Sequence, residues 1–487
     1  MQIIRSNRAQ FEYDIHALVK AFYPEWELKV LTPASVIKDK KILEILPVME
    51  LSFGDCEVML KIYNSLHNSE HTYIWNDTDK AEQEEYKNGF KRFLYNSLRE
   101  ETGRSLPWGN LTGIRPTKIA MTMLEQGKSE EEIAEFLKNE HFVSDEKTAL
   151  GIEIARRERG ILSTLHYEEG YSLYIGIPFC PTTCLYCSFT SYPIGLWHER
   201  VGEYLTALEK EMDAAASLCQ DKILDTVYIG GGTPSALSAA ELERLLKKLR
   251  STFDFGTVQE FTVEAGRADS ITPEKLQVLH AYGVTRISVN PQTMKQETLQ
   301  LIGRQHTVEQ VADAFGMARQ AGFDNINMDI ILGLPGEDAA DVAHTIEAIK
   351  ELAPEALTVH SLAVKRASRL QQWIEKNGVT AYNNTEETMR IAAKGAADMG
   401  MVPYYLYRQK NMSGNFENVG YSRKGKYGIY NILIMEEMQT IVALGAGSIS
   451  KRVYSDGRIE RSENAKDVET YMRNMEEMIE RKRRLLG

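Results

Sequence analysis

The chain has 487 residues, 43% of them hydrophobic and 26% charged, with a formal net charge of −12. That length leaves room for two or three globular domains, and the acidic balance argues against a nucleic-acid binder, which needs a positive surface for phosphate. The amino terminus Met1-Gln-Ile-Ile-Arg-Ser-Asn has no apolar signal region and no segment is long and apolar enough to span a bilayer, so a cytoplasmic protein without membrane insertion is expected.

In chain order, residues 1–165 read as an accessory α+β domain. Alternation in Val48–Phe53 and Glu57–Tyr63 predicts an antiparallel hairpin turning at Gly54-Asp55. Ser129-Glu-Glu-Glu132 is a capping box that opens a helix. Residues 166–370 alternate between short apolar runs and helical patterns. The runs are Tyr171–Ile177, Thr226–Ile229, Phe261–Val263, Arg286–Val289, Ile326–Leu332 and Leu357–Val359. The helical patterns are Val201–Leu218, Ala239–Leu249, Pro273–His280, Val308–Gln320 and Ala339–Leu352. Six β-α units in a row predict a parallel sheet with right-handed crossovers, either open or rolled into a barrel. Barrel enzymes place their chemistry at the carboxyl ends of the strands. Residues 371–487 read as an α+β extension, with helices near Thr385–Met399 and Ala465–Leu485. Between them lies a basic and aromatic stretch holding Arg408, Lys410, Arg423, Lys424 and Lys426 beside Tyr404, Tyr405, Tyr407, Tyr421 and Tyr427. The final Arg481-Lys-Arg-Arg484 reads as a solvated helix end.

The first apolar run leads into Cys180-Pro-Thr-Thr-Cys184-Leu-Tyr-Cys187. Three thiolates on one short loop can take three corners of a 4Fe–4S cube and leave the fourth iron open to a small molecule. Such clusters are usually held by four cysteines, and only Cys56 and Cys219 remain, neither near this loop in sequence. A structural zinc site wants four ligands in paired spacing, and no second pair exists. An odd cysteine count and three crowded thiols argue against a disulfide.

Other unusual residues also fall just after strands. Gly230-Gly-Gly-Thr-Pro234 lets the backbone approach a ligand and aim N–H groups at it. Glu264 ends the third run and can grip an amine, or serve as a capping or salt-bridge residue. Gln292 lies past the fourth strand, and Arg304 can clamp a carboxylate bidentately or sit on the surface. Asp329 interrupts an apolar run; a buried carboxylate needs partners, which ribose hydroxyls or a structural network would supply.

Together these motifs resemble the oxygen-independent coproporphyrinogen III oxidase family of radical S-adenosylmethionine (SAM) proteins, over about Tyr171 to Lys451. The flanking Cys-Ser-Phe-Thr-Ser-Tyr-Pro is similar to its Gram-positive coproporphyrinogen dehydrogenase branch. The resemblance implies a partial (β/α)6 TIM-like barrel at 166–370 and a substrate-covering domain at 371–487. It implies that Cys180, Cys184 and Cys187 ligate the cluster, and that Gly231 and Gly232, with Thr233 among the cofactor-binding residues, meet the methionyl end of SAM. It assigns Arg304 to the carboxylate, Glu264 to cofactor binding, Gln292 and Asp329 to the ribose, and Tyr186 and Ile331 to the adenine. Tyr174 matches as a cofactor-binding and catalytic residue. The implied reaction is oxidative decarboxylation of two propionates of coproporphyrinogen III to vinyl groups, giving protoporphyrinogen IX in heme biosynthesis. The implied partners are a tetrapyrrole substrate and an electron donor such as a flavodoxin or ferredoxin, acting on a monomer. The basic and aromatic stretch then becomes the expected propionate site. The chain departs from the pattern at Phe189, where a fourth cysteine is usual, at Gly176, where a histidine is usual, and at Val289-Asn-Pro-Gln292, where a glycine turn is usual. The alternatives are a heme chaperone or a heme-modifying radical SAM protein of the same family. Against the chaperone, Glu417-Asn-Val-Gly-Tyr-Ser422 lacks the histidine and tryptophan of the heme-holding His-Asn-x-x-Tyr-Trp motif.

Overall fold

The computed structural model describes residues 1–36, 40–64, 69–76, 83–113, 115–187, 191–363, 369–377, 384–409 and 416–487. Phe189 and Lys410 lie outside the described residues. The chain divides into two compact units, Met1–Ile152 with Arg408–Phe416, and Glu153–Tyr407 with Glu417–Gly487.

The first unit holds a sheet in the order β2-β1-β3-β4-β5, with β1 Gln2–Ser6, β2 Leu28–Leu31, β3 Met49–Phe53, β4 Glu57–Asn64 and β5 Ser69–Asn76. The predicted hairpin is β3–β4, closed by the Gly54 N–H donating to the Glu57 carbonyl at 2.8 Å. Helices α1 (Glu12–Phe22), α2 (Gln83–Thr102), α3 (Thr117–Glu125) and α4 (Glu130–His141) belong to this unit, and the boundary at Ile152 falls within α5 (Asp145–Leu162). The capping box at Ser129 forms as read: the Glu132 N–H donates to Ser129 Oγ at 3.2 Å, and the Ser129 N–H to Glu132 Oε2 at 2.8 Å. Phe11, Phe53, Phe90, Leu94 and Leu98 fill the core.

The second unit is built on one sheet, ordered β14-β15-β13-β12-β11-β10-β9-β6-β16-β17-β18. Its six predicted strands are β6 Gly170–Ile177, β9 Ile223–Gly231, β10 Glu260–Gly266, β11 Arg286–Val289, β12 Ile326–Leu332 and β13 Ala356–Ser361. They are consecutive neighbours and all parallel. A short pair, β7 (Phe179–Cys180) and β8 (Tyr192–Pro193), flanks the cysteine loop. Helices α6 (Val201–Leu218), α7 (Ala239–Thr252), α8 (Pro273–Ala281), α10 (Val308–Gln320) and α11 (Ala339–Leu352) fall where the periodicity predicted them, and α9 (Gln296–Leu301) is added after β11. This is the α/β arrangement of six parallel strands that the sequence predicted.

Residues 371–487 continue that sheet at both edges. β14 (Val402–Tyr407) and β15 (Asn418–Ser422) extend it antiparallel beyond β13. β16 (Thr440–Leu444) pairs parallel with β6, followed by β17 (Ile449–Val453) and β18 (Ile459–Glu463). The boundary expected at 370 therefore does not coincide with a break between compact units. Helices α12 (Arg369–Asn377), α13 (Glu386–Asp398), α14 (Ile429–Glu436), α15 (Val468–Arg473) and α16 (Met475–Leu486) complete this unit. The basic end of α16 differs from expectation. Lys482 is only 1% exposed and pairs with the buried Glu211 of α6 at 2.5 Å, while its neighbours on α16 stay at the surface.

Register sorts the two faces of the parallel sheet. One face carries Ile175, Val227, Ile229, Phe261, Val263, Ile287, Val289, Met328, Ile330, Leu357 and Val359, all buried and apolar. On the other, Tyr174 lies opposite Tyr228, Thr262 opposite Arg286, Ser288 opposite Asn327, and Asp329 opposite Thr358. Barrel interiors are ordinarily filled by branched apolar side chains. A polar inner face marks a place where something other than packing is required.

Candidate cofactor site at the strand ends

The cysteine loop leaves β7 with Cys180 and Cys184 buried and Cys187 half-buried. Its shape is set from several directions. The Cys187 N–H donates back to the Cys184 carbonyl at 3.3 Å, and the Leu185 N–H to the Ile302 carbonyl at 2.9 Å, beyond α9. Arg369, opening α12, donates to the Thr183 carbonyl. Thr233 Oγ1 donates to Cys180 Sγ at 3.4 Å. Burial pushes the Cys180 thiol up to about 11; the Thr233 hydroxyl opposes this, and the Cys187 and Cys184 sulfurs add to it. Three thiols that feel one another in a buried loop suit a group that takes them up as thiolates. Among the described residues no three His, Cys, Asp or Glu side chains gather around a single ion. A cubane asks for something different: each thiolate binds a separate iron, so the sulfurs stand further apart than the ligands of one metal.

The glycines after β9 lie against this loop. A Cβ on Gly232 would stand 2.6 Å from the Phe179 carbonyl and 3.0 Å from Cys180 Sγ, and Gly231 has φ +109. Only glycine permits this approach and this backbone. The Gly232 and Thr233 N–H groups donate to the Ile177 and Phe179 carbonyls, each at 2.7 Å. A Cβ on Gly230 would meet the Glu264 carboxyl at 2.9 Å. Glu264, at the end of β10, accepts from the Tyr228 hydroxyl. Burial raises its carboxyl to about 7 and Asp329 adds to this, whereas the Tyr228 hydroxyl, the Gly231 N–H and Arg286 work against it. A cationic ligand would supply the counter-charge that Glu264 lacks.

Gln292 has φ +69, a strained backbone for a residue with a side chain. It is held there by its N–H on the Asp329 carbonyl and its carbonyl on the Ile331 N–H, both 2.9 Å, and its Oε1 is buried without a partner among the described residues. Arg304 is buried. It donates through Nη1 to the Asn290 carbonyl and through Nη2 to the Tyr186 hydroxyl at 3.2 Å, which leaves Nε without a partner among the described residues; the Cys184 thiol lies beside the same guanidinium. Asp329 accepts from Asn327 Nδ2 at 2.6 Å and faces His360 Nε2 at 4.0 Å. Ile331 and Tyr186 share one apolar cluster with Leu299, Leu334 and Trp373. The structure thus brings the cysteines, the glycine run, Glu264, Gln292, Arg304, Asp329, Ile331 and Tyr186 to one end of the parallel strands. Tyr174 stacks with Tyr228 at 6.2 Å and Tyr430 at 6.1 Å, one layer beneath the glycines.

The basic and aromatic stretch behaves otherwise. Arg408 is 5% exposed and donates to the Leu111 carbonyl inside the first unit. Arg423 donates to the Met399 carbonyl at 3.2 Å, and Lys426 pairs with Asp324 at 2.9 Å. Tyr404, Tyr405 and Tyr421 are buried. Arg408 and the three buried tyrosines thus serve the internal structure, whereas Lys424 is exposed and Lys426 pairs at the surface, so the stretch expected to hold the propionates is split between interior and solvent. Sequence reading missed Tyr228, Tyr430, His360 and Arg267, because a lone tyrosine, histidine or arginine beside an apolar run reads as ordinary core or surface. Tyr174 and Tyr228, each two residues before a glycine at a strand end, carried the available signal.

The family model described as the Radical SAM superfamily matches residues 174–349. The oxygen-independent coproporphyrinogen-III oxidase-like protein HemZ of Bacillus subtilis is 43% identical over 410 residues, spanning 83% of this chain and 82% of that protein. The heme chaperone HemW of the same organism is 39% identical over 195 residues, 40% of this chain and 51% of the chaperone. The solved coproporphyrinogen III oxidase HemN of Escherichia coli, a radical SAM enzyme, superposes with a TM-score of 0.53 at 23% identity, covering 66% of this chain and 72% of that one.

Proposed function

The chain belongs to the radical SAM family that includes oxygen-independent coproporphyrinogen III oxidases, their HemZ-type relatives and the related heme chaperones, and on that premise we propose that it oxidatively decarboxylates two propionates of coproporphyrinogen III to vinyl groups. The observation that carries the reading is the 43% identity to a HemZ-type oxidase-like protein across most of both chains, well beyond the shared core. As a radical SAM protein it uses a 4Fe–4S cluster and SAM, which together supply a carbon-centred oxidant able to take hydrogen from an unactivated carbon.

In this reading the side chains described above divide the work. Cys180, Cys184 and Cys187 hold the cluster. Gly231, Gly232 and Thr233 line the methionyl end, with the Glu264 carboxylate answering its ammonium. Arg304 offers its unpartnered Nε to the carboxylate, and Gln292 Oε1 and Asp329 accept from the ribose hydroxyls. Tyr186 and Ile331 enclose the adenine, and Trp373 in the same cluster helps to exclude water. Tyr174, Tyr228 and Tyr430 form an aromatic floor that fixes the reacting end from below.

A heme chaperone is the second reading, favoured by the 39% identity to one over the core. The counterpart of the heme-holding motif argues against it. Asn418 is buried in β15, where its Oδ1 accepts from the Ser361 N–H at 2.8 Å, so it is committed to the sheet. The test is anaerobic: protein with reconstituted cluster, SAM, a reductant and coproporphyrinogen III, analysed by mass spectrometry. Loss of two carboxyl groups per tetrapyrrole, in step with SAM cleavage, is expected. Unchanged substrate together with stoichiometric heme binding would replace the oxidase with the chaperone.

A further inference from the structure

Arg267 follows β10 and is 2% exposed. Its Nε and Nη2 clasp Asp269 at 3.0 and 2.5 Å, in the bidentate geometry particular to a guanidinium. Its Nη1 reaches into the cysteine loop and donates twice to Thr182, to the carbonyl at 3.1 Å and to Oγ1 at 2.6 Å. Thr182 lies between Cys180 and Cys184, and its hydroxyl also donates to the Gly303 carbonyl at 3.1 Å. Asp269, on its far side, faces His306 Nδ1 at 3.8 Å, and His306 is fully buried two residues after Arg304. One network therefore ties the middle of the cysteine loop to the segment that carries Arg304.

A loop between two cysteines has no regular backbone ladder of its own, so its shape depends on such outside contacts. Arg267 is a buried cation among those contacts, as Arg304 is at Tyr186, and it alone donates to the segment between Cys180 and Cys184 among the described arginines that are buried. We infer that Arg267 is the positioning residue of the cysteine loop: through Thr182 it holds the three thiols in register, and it turns the positive end of its ion pair with Asp269 toward the cluster they bind. That orientation favours the more reduced, more negative cluster, so Arg267 raises the reduction potential as well as the loading. The inference rests on the assignment of the three cysteines to the cluster. Lysine in place of Arg267 keeps the charge without the fork, which separates the two roles.

The experiment compares Arg267→Gln, Arg267→Lys and Thr182→Val with the unaltered protein. In iron-free protein, alkylation rates of Cys180, Cys184 and Cys187 by iodoacetamide are followed by mass spectrometry. After anaerobic reconstitution, iron per chain and the midpoint potential of the cluster are measured. Arg267→Gln should speed alkylation several-fold, cut iron loading several-fold and move the potential of the remaining cluster to more negative values. Arg267→Lys should keep the potential while losing part of the loading. Thr182→Val should speed alkylation with little change in potential. If Arg267→Gln proves too unstable to purify, Thr182→Val and Arg267→Lys decide the matter. Unchanged alkylation and loading in Thr182→Val overturn the clamp, and an unchanged potential in Arg267→Gln, or a shifted one in Arg267→Lys, overturns the electrostatic role. The alkylation arm is run without iron and so judges the clamp independently of the cysteine assignment, which Cys184→Ala tests on its own.

Discussion

In the first unit the space between sheet and helices is filled by Phe11, Phe53, Phe90, Leu94 and Leu98, buried groups that need nothing from a ligand. The inner face of the parallel sheet in the second unit instead carries Tyr228, Glu264, Arg286, Ser288, Asp329 and His360. Several polar atoms in and around it are buried without partners among the described residues: Arg286 Nε and Nη2, Ser288 Oγ, Asn290 Oδ1, Gln292 Oε1 and Arg304 Nε. An apolar interior is complete once it is packed. A polar interior with unmet hydrogen bonds is costly on its own, since each buried unpaired group costs about 1–3 kcal/mol. The contrast teaches that the first interior exists to be stable and the second to be occupied. Mutations in the two should then fail in different ways.

The largest effect separates them outright. Cys184→Ala should abolish the 4Fe–4S cluster and with it SAM cleavage, while Cys56→Ala and Cys219→Ala leave both intact; iron content and visible absorbance after reconstitution read this. A SAM-cleaving cluster in the Cys184 variant would remove the basis for the site. Next comes the apolar interior. Phe90 packs on Phe11 and Phe53 with ring centroids at 4.7 and 5.2 Å. Phe90→Ala should destabilise the first unit by roughly 3–5 kcal/mol, measured by chemical denaturation, with iron loading of the second unit unchanged. Loss of the cluster in this variant would show that the two interiors are not separable.

A subtler effect comes from Glu264, whose carboxyl is raised from 4.5 to about 7. A raised carboxyl contributes stability below its unfolded value, and that contribution is lost as pH rises through the folded one. Without ligand, this group therefore makes the fold less stable toward pH 8. Binding an ammonium requires the carboxylate, so SAM affinity should grow about tenfold between about pH 6 and 8. Calorimetry should show that growth in the unaltered protein and a flat profile in Glu264→Gln. The same slope in both would take Glu264 out of cofactor binding.

Much of this contrast was legible beforehand. The six parallel strands and five helices were readable because each strand is a short buried apolar run and each helix an amphipathic period, both local properties. The cysteine loop and the glycine run were readable because their chemistry is written in contiguous residues. What escaped was non-local. β16, Thr440-Ile-Val-Ala-Leu444, is plain as an apolar run, yet its pairing with Tyr171–Ile175 joins segments far apart in the chain. Arg267 reaches Thr182, and Tyr430 reaches Tyr228 at 4.5 Å, also between segments distant in the chain. Lys482 and Arg408 differ from expectation for the same reason: a basic residue reads as open to solvent, as for Lys482, or to an anionic ligand, as for Arg408, until its distant partner is known. Glu211 supplies that partner for the first and the Leu111 carbonyl for the second.

The claim that the polar interior is a SAM site is tested most directly by SAM affinity in cluster-loaded protein carrying Arg304→Ala, Gln292→Ala or Asp329→Ala. Each variant removes a hydrogen bond involving a charged or buried group, worth roughly 1.5–3 kcal/mol, or about a tenfold to hundredfold weakening. The account predicts that all three keep the cluster, by iron content and absorbance, and lose SAM affinity by that margin. Unchanged SAM affinity in all three, with the cluster intact, would contradict it.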